Sequence, residues 1–208
     1  MDIEKLKKQY KFMIHHLYKE LNMYRRVNNK YRIHAEIKRK KFKYKLYEEF
    51  RVQSLYRASK LYNIIGDMQG KSVSYKLLRN KINKNTDYIL TKTTETENSY
   101  INSFKNQRNW ALHFSNAEFE AELEIDPEYF NHHKIIISEP KFVDYNVYFS
   151  LIQHNWSEIN KAKMVLELAI KDYEILFGQK PVFEKSKVNT MDLTWLEKSV
   201  KSFKYSKK

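Results

Sequence analysis

The stretch Asp144–Phe177, with the sequence DYNVYFSLIQHNWSEINKAKMVLELAIKDYEILF, decides the fold class of this chain. Its apolar residues recur every three or four positions, which is typical of one face of an α-helix. Gly178 follows as a predicted C-terminal cap, and Pro181 prevents the helix from continuing. The stretch therefore predicts one long final helix. The residues predicted on or near its apolar face are Val147, Leu151, His154, Ile159, Ala162, Val165, Leu166, Ala169, Ile170, Tyr173 and Phe177.

Helical spacing also dominates the chain upstream of this stretch. In chain order, the prediction begins with a helix over residues 3–27, a turn at Asn28-Asn29, a helix over 35–65 capped by Gly66, and a short helix from Ser72 or Ser74 to Ile82. A loop over 83–98 that could include one turn of helix, a helix or helical turn over 100–104, and a helix over 107–119 follow. The acidic residues 118–128 are either a short strand or a loop. A small hairpin of residues 123–125 and 135–137 is one possibility for this insertion.

These segments predict an all-α protein, a bundle of four to five helices with a short insertion before the last long helix. Only 3 Gly and 3 Pro occur in 208 residues, too few for the turns of a many-stranded β fold. The 16 Tyr and 12 Phe are expected to fill much of the core. Residues 1–178 are interpreted as one helical domain, and residues 179–208 as a basic tail or a docked short helix.

The formal net charge is +14, and it is unevenly distributed. Residues 1–60 hold 18 Lys and Arg against 6 Asp and Glu, whereas residues 115–176 hold 5 against 12. A basic surface attracts polyanions such as RNA, because each neutralised phosphate releases counterions. Two alternatives are a lysine-rich composition without function and self-association of an acidic face with a basic one.

Several function classes have no support in the sequence. Cysteine is absent, so disulfides and thiolate metal sites are excluded. No signal peptide and no apolar run of about 20 residues is present, so a cytoplasmic protein without membrane contact is expected. Nucleophile-elbow and phosphate-loop glycine patterns are missing too.

The segment QRNWALHF, residues 107–114, contains the candidate chemistry. RNA can be cut without metal when its 2′-hydroxyl attacks the adjacent phosphorus, and His113 suits the required proton transfer near neutral pH. Arg108 would stabilise charge on the phosphoryl oxygens. Asn109 would orient His113 or contact the phosphate, and Lys105 is expected to bind the RNA. Because a helix is predicted to begin at residue 107, free backbone N–H groups would add a phosphate site beside Arg108.

This segment resembles the Arg-x4-6-His motif of the HEPN superfamily, in which a polar residue often follows the arginine; here that residue is Asn109. The resemblance implies a small helical ribonuclease of the toxin or abortive-infection type, without metal or other cofactor. It also implies a homodimer with the active site at the dimer interface, and an antitoxin or regulatory partner. Some members add an acidic residue from an earlier helix, for which Glu48 and Glu49 are the nearest candidates.

Other interpretations of the chain and of its histidines stay open. The chain could be a non-catalytic HEPN-like RNA-binding or protein-interaction module, or an unrelated basic scaffold that binds nucleic acid. His113 could be structural, and His154 is predicted to lie in the core. The pairs His15-His16 and His132-His133 are not expected to bind zinc, because adjacent side chains on a helix diverge. The basic run 38–45 is interpreted as a solvated helix face whose aromatic residues pack in the core.

Overall fold

The structure is a computed structural model that describes residues 2–36, 40–70, 72–84, 88–112 and 140–184. Within these ranges the chain is an all-α bundle with one small two-stranded sheet, as the sequence predicts. The elements, in chain order, are α1 (Ile3–Glu36), β1 (Lys41–Lys43), α2 (Tyr44–Gly66), α3 (Tyr75–Asn83), α4 (Glu95–Leu112), β2 (Phe142–Asp144) and α5 (Tyr145–Phe177). The predicted hairpin of residues 123–125 and 135–137 lies outside the described residues.

Helix α1 continues without a break through Asn28 and Asn29, so the predicted turn is wrong. Asn28 lies on the buried stripe of α1, and its side-chain amide donates to the Ile152 carbonyl oxygen over 3.3 Å. Asn155 in turn donates to the Asn28 side-chain oxygen over 3.2 Å. These tertiary hydrogen bonds offset the weak helix propensity of asparagine, which by itself favours a turn.

The buried amide of Asn155 connects three helices. It also donates to the Ser54 hydroxyl of α2 over 2.8 Å and accepts from the Tyr24 hydroxyl of α1 over 2.7 Å. Because every group in this network is buried, each hydrogen bond satisfies an atom that water does not reach. The network sets the relative position of α1, α2 and α5.

Residues 41–43 form a strand rather than the first part of a helix, so α2 begins at Tyr44 and not at residue 35. Strand β1 pairs antiparallel with β2, with Lys41 opposite Asp144 and Lys43 opposite Phe142. The buried Phe42 stacks on Tyr148 with 4.2 Å between ring centroids. Burial of Phe42 and pairing with a distant segment thus outweigh the helical pattern of this lysine-rich run.

Helix α4 is continuous from Glu95 to Leu112, so the predicted loop over 83–98 is too long and the predicted helix start at 107 is wrong. The cause is a capping box. The Glu97 amide donates to the Thr94 hydroxyl over 3.2 Å, and the Thr94 amide donates to the Glu97 carboxylate over 2.7 Å. Ser74 caps α3 as predicted, since its hydroxyl accepts from the Leu77 amide.

Helix α5 has the predicted bounds, with Asp144 as N-cap and Gly178 as C-cap at φ 69°. The second half of the predicted apolar face is mostly buried, but Val147 and His154 in the first half are exposed. The core-histidine prediction for His154 is therefore wrong. Tyr148 and Ile152 are buried there instead, because this part of α5 packs against β1 and the end of α1.

Aromatic residues supply much of the core, as expected. The largest fully buried side chains are Tyr10, Tyr24, Tyr31, Tyr75, Tyr148, Tyr173, Phe50, Phe104, Met13, Ile14, Leu17 and Leu61. The main cluster lies between the five described helices, and a smaller one lies under the β-strands. No helix among the described residues is both long and apolar enough to cross a membrane.

Candidate active site around Arg108

Arg108 lies in the fourth turn of α4, thirteen residues after the helix begins at Glu95. The expected phosphate site at a helix start is therefore wrong for this residue, because the free backbone N–H groups of α4 lie at its other end. Any positive charge that Arg108 contributes must come from its side chain and from neighbouring lysines. His113 lies outside the described residues, so its position relative to Arg108 stays a prediction.

Arg108 forms an ion pair with Asp67, the residue that directly follows α2. A terminal guanidinium nitrogen of Arg108 lies 3.0 Å from Asp67 Oδ1, and the two side chains are only 14% and 15% exposed. Asp67 Oδ1 also accepts a hydrogen bond of 3.0 Å from the Gln69 amide. The Nε atom of Arg108 is buried and has no hydrogen-bond partner among the described residues. The pair thus holds the guanidinium in one orientation and leaves part of its hydrogen-bonding capacity unused.

The close approach of α2 and α4 at Gly66 places this ion pair. A Cβ atom at Gly66 would lie 2.6 Å from the Lys105 backbone nitrogen and 2.7 Å from the Phe104 carbonyl carbon. Glycine therefore lets the two backbones touch. Because Asp67 follows Gly66 and Arg108 lies one turn after Lys105, this contact brings the carboxylate within reach of the guanidinium.

Two lysines add positive charge along α4, one to two turns before Arg108. The Lys76 ammonium of α3 donates to the Asn102 side-chain oxygen of α4. Burial and then the nearby Lys105 charge lower the pKa of Lys76, so the two cations repel each other. Within the described residues neither lysine forms an ion pair. A bound anion would relieve this repulsion.

The predicted site residues on α4 are grouped around Lys105. Lys105 lies three residues before Arg108 and four before Asn109, so its side chain is adjacent to both on the helix surface, whereas the consecutive Arg108 and Asn109 point about 100° apart. Asn109 is exposed, whereas Lys105 and Arg108 are half-buried. This part of α4 therefore offers two cations and one amide, and the amide faces solvent.

Asp67 is the acidic partner of Arg108 that the sequence prediction missed. Glu48 lies about 28 Å away along α2 at 1.5 Å per residue, and it accepts two hydrogen bonds of 2.8 Å from Arg51. Glu49 is its exposed neighbour in the same turn. The sequence shows only that Asp67 directly follows the helix-ending Gly66, and this position does not say which residue it pairs with.

The histidines of α1 do not form a metal site with other described residues. The rings of His15 and His16 lie 5.2 Å apart and nearly perpendicular. Among residues 2–36, 40–70, 72–84, 88–112 and 140–184, no group of three or more His, Asp or Glu side chains is arranged to hold a metal ion. His132 and His133 lie outside these ranges.

Comparisons with protein-family models, with curated proteins and with solved structures found no match to this chain.

Proposed function

We propose that this chain is a metal-independent endoribonuclease of the HEPN type, acting in the cytoplasm with Arg108 and His113 as its catalytic residues. The observation that supports the proposal is the arrangement of Arg108. Asp67 lies 3.0 Å from its guanidinium, and Lys105, one turn earlier on α4, lies near the further cation Lys76 of α3. A phosphodiester that binds along this part of α4 would meet positive charge from Arg108 and from the two lysines.

The proposed reaction is attack of a ribose 2′-oxygen on the adjacent phosphorus. The 2′-oxygen–phosphorus bond forms, and the bond from phosphorus to the 5′-oxygen breaks. His113 accepts the proton of the 2′-hydroxyl, and a proton is donated to the departing 5′-oxygen. Arg108 and Lys105 stabilise the charge that develops on the phosphoryl oxygens. The products are a 2′,3′-cyclic phosphate and a 5′-hydroxyl, and no metal or other cofactor takes part.

Asp67 and Asn109 have positioning roles in this scheme. Asp67 lies 3.0 Å from one end of the Arg108 guanidinium and would direct its other donors, which suits recognition of a single phosphate. Asn109 is exposed next to Arg108 and would orient His113 or contact the phosphate. In this scheme the positive charge beside the phosphate comes from Lys76 and Lys105, and not from the backbone N–H groups of a helix start.

The proposal includes a homodimer with its active site at the interface. One Arg108–His113 set supplies one proton carrier, whereas the reaction needs both a proton acceptor and a proton donor. A second His113 from the partner copy would supply the other. By resemblance, the physiological role would be that of a toxin or abortive-infection effector, controlled by an antitoxin or another regulatory partner.

The experiment is incubation of end-labelled RNA in EDTA with the wild type, Arg108→Ala and His113→Ala. Arg26→Ala, an exposed arginine on α1, is the matched control. Wild type and control should cut the RNA and leave 2′,3′-cyclic phosphate ends. Loss of an oxyanion-stabilising donor costs about 100-fold or more in rate, and both site variants should lose at least that. Equal cleavage by all four proteins would contradict the proposal.

The dimer is tested separately by measuring the mass of the wild type in solution. Sedimentation should show twice the chain mass at concentrations where cleavage is observed. Dilution below the dimer range should reduce the specific activity. A monomer that keeps full specific activity would contradict the shared site while leaving the Arg108 chemistry intact.

The burial of the ion pair favours an alternative, a non-catalytic RNA-binding or protein-interaction module. A pair about 85% buried at a helix junction can serve stability alone. In that case Arg108→Ala would lower the free energy of unfolding, and the wild type would bind RNA without producing cyclic phosphate ends. The RNA cleavage assay therefore separates the two functions.

A further inference from the structure

The two-stranded sheet has one face against the core and the other face toward solvent. On the inner face, Phe42 lies opposite Val143, and both are buried. On the outer face, Lys43 lies opposite Phe142, whose side chain is 57% exposed. The outer face thus offers an aromatic ring and a cation side by side.

A groove of about 920 Å³ lies between these strands and the first turns of α2. We name it the ribbon groove and define it by Lys43, Tyr44, Lys45, Val52, Lys141 and Phe142. Its lysines are exposed, and its apolar floor includes Val52, which is 53% exposed. Glu48 also lines the groove, but its charge is neutralised by Arg51 through two hydrogen bonds of 2.8 Å. Among the described lining residues, the three lysines then face one further carboxylate, that of Glu49, so this described lining is positively charged.

We propose that the ribbon groove binds single-stranded RNA outside the candidate active site. The lysines Lys43, Lys45 and Lys141 would neutralise backbone phosphates, and Phe142 and Tyr44 would stack on bases. A cationic groove that contains aromatic side chains is how proteins hold single strands without regard to sequence. A duplex would not fit this chemistry, because its base faces are already stacked. The inference rests on the proposed function, since it names where the substrate strand is held.

The ribbon groove and the candidate active site lie at opposite ends of α2. Helix α2 extends from Tyr44 at the groove to Gly66 beside the Arg108–Asp67 pair. Its 23 residues span about 33 Å at 1.5 Å per residue. A stacked strand rises about 3.4 Å per nucleotide, so roughly 10 nucleotides connect the two places. An RNA of about 12 nucleotides or more can therefore occupy the groove and the candidate active site at once, whereas a tetranucleotide can occupy one of them.

The test is the binding of a fluorescent 12-nucleotide RNA with 2′-O-methyl groups, which cannot undergo 2′-oxygen attack. The double variant Lys43→Gln/Lys141→Gln should bind at least tenfold more weakly. The slope of log affinity against log salt should decrease by about 1.4, for two lost contacts to a single strand. The control Lys8→Gln/Lys171→Gln removes the same charge from exposed positions of α1 and α5, and it should bind as the wild type does. Phe142→Ala should weaken binding about fivefold or more through lost stacking.

Several results would overturn the inference. These are equal losses in the groove and control variants, an unchanged affinity in Phe142→Ala, or polyglutamate that competes as well as RNA. The last result would assign the groove to an acidic protein. Because the probe is not cleaved, the outcome is independent of catalysis. If the wild type does not cut RNA but the groove variants bind the probe more weakly than the wild type does, the ribonuclease proposal is contradicted and the RNA-binding groove is supported.

Discussion

The substitution Gly66→Ala tests whether the contact of α2 with α4 is as close as the structure indicates. The added Cβ atom would lie 2.6 Å from the Lys105 nitrogen, 2.7 Å from the Lys105 Cα atom and 2.7 Å from the Phe104 carbonyl carbon. Ordinary carbon contacts lie near 3.5 Å, so the helices would have to separate by roughly 0.9 Å. Because all three atoms belong to the backbone, no side-chain rotation can relieve the overlap.

The energetic cost follows from two opposing effects. Overpacking of this kind costs about 1–3 kcal/mol or more, whereas alanine in a helix is favoured over glycine by about 0.5–1 kcal/mol. We expect a net loss of about 2 kcal/mol, which corresponds to a decrease in Tm of roughly 4–8 °C for a domain of this size. The separation would also weaken the 3.0 Å ion pair between Arg108 and Asp67, so RNA cleavage should fall as well.

The assay for Gly66→Ala is urea unfolding followed by circular dichroism, with Gly70→Ala as the matched control. A Cβ atom at Gly70 would meet nothing within 4 Å. The urea midpoint of this variant should therefore equal that of the wild type or lie slightly above it. Equal midpoints for Gly66→Ala and Gly70→Ala would refute the reasoning. The two backbones would then not be in contact at Gly66, and the position of Asp67 beside Arg108 would need another cause.

Three further substitutions test other parts of the fold. Asn155→Leu leaves three buried hydrogen-bond partners unsatisfied. It should lower the free energy of unfolding by about 3 kcal/mol or more; a loss below 1 kcal/mol would show that the network contributes little. Gly178→Ala places a side chain at φ 69° and should cost about 1 kcal/mol in the same unfolding measurement; an unchanged midpoint would contradict the left-handed C-cap. Burial, followed by the His15 and Lys19 charges, lowers the pKa of His16 below 6.5, with Glu20 acting in the opposite direction. The folded state therefore resists protonation, and the wild type should lose stability as the pH falls from about 6.5 toward that lowered pKa. His16→Gln should remove this part of the loss in urea unfolding at several pH values, and an unchanged pH profile would rule out His16 as its source.

The candidate site was only partly predictable from the sequence. Arg108 and Asn109 were chosen from their spacing, and the structure places both on α4 next to Lys105. The error was the helix start at residue 107, although the capping box at Thr94 and Glu97 was visible in the sequence. Asp67 could not be identified as the partner of Arg108, because the two residues are 41 positions apart and their contact depends on how α2 crosses α4.

Local spacing by itself determined that this protein is mostly helical, and it placed the bounds of α5 and the first residue of α3. The apolar stripe of α5, its end at Gly178 and the serine that begins α3 depend on residues within a few positions of one another. Such short-range interactions can be read without knowing which elements pack together.

Only the tertiary structure decided which distant groups meet. The helix-breaking tendency of Asn28 is overcome by hydrogen bonds to residues more than 120 positions away. The helical pattern of the lysine-rich run 41–43 gives way to pairing with residues 142–144. In both cases a buried contact between distant segments outweighs a local preference worth about 1 kcal/mol or less. The Arg108–Asp67 pair depends in the same way on two helices whose backbones touch at a glycine.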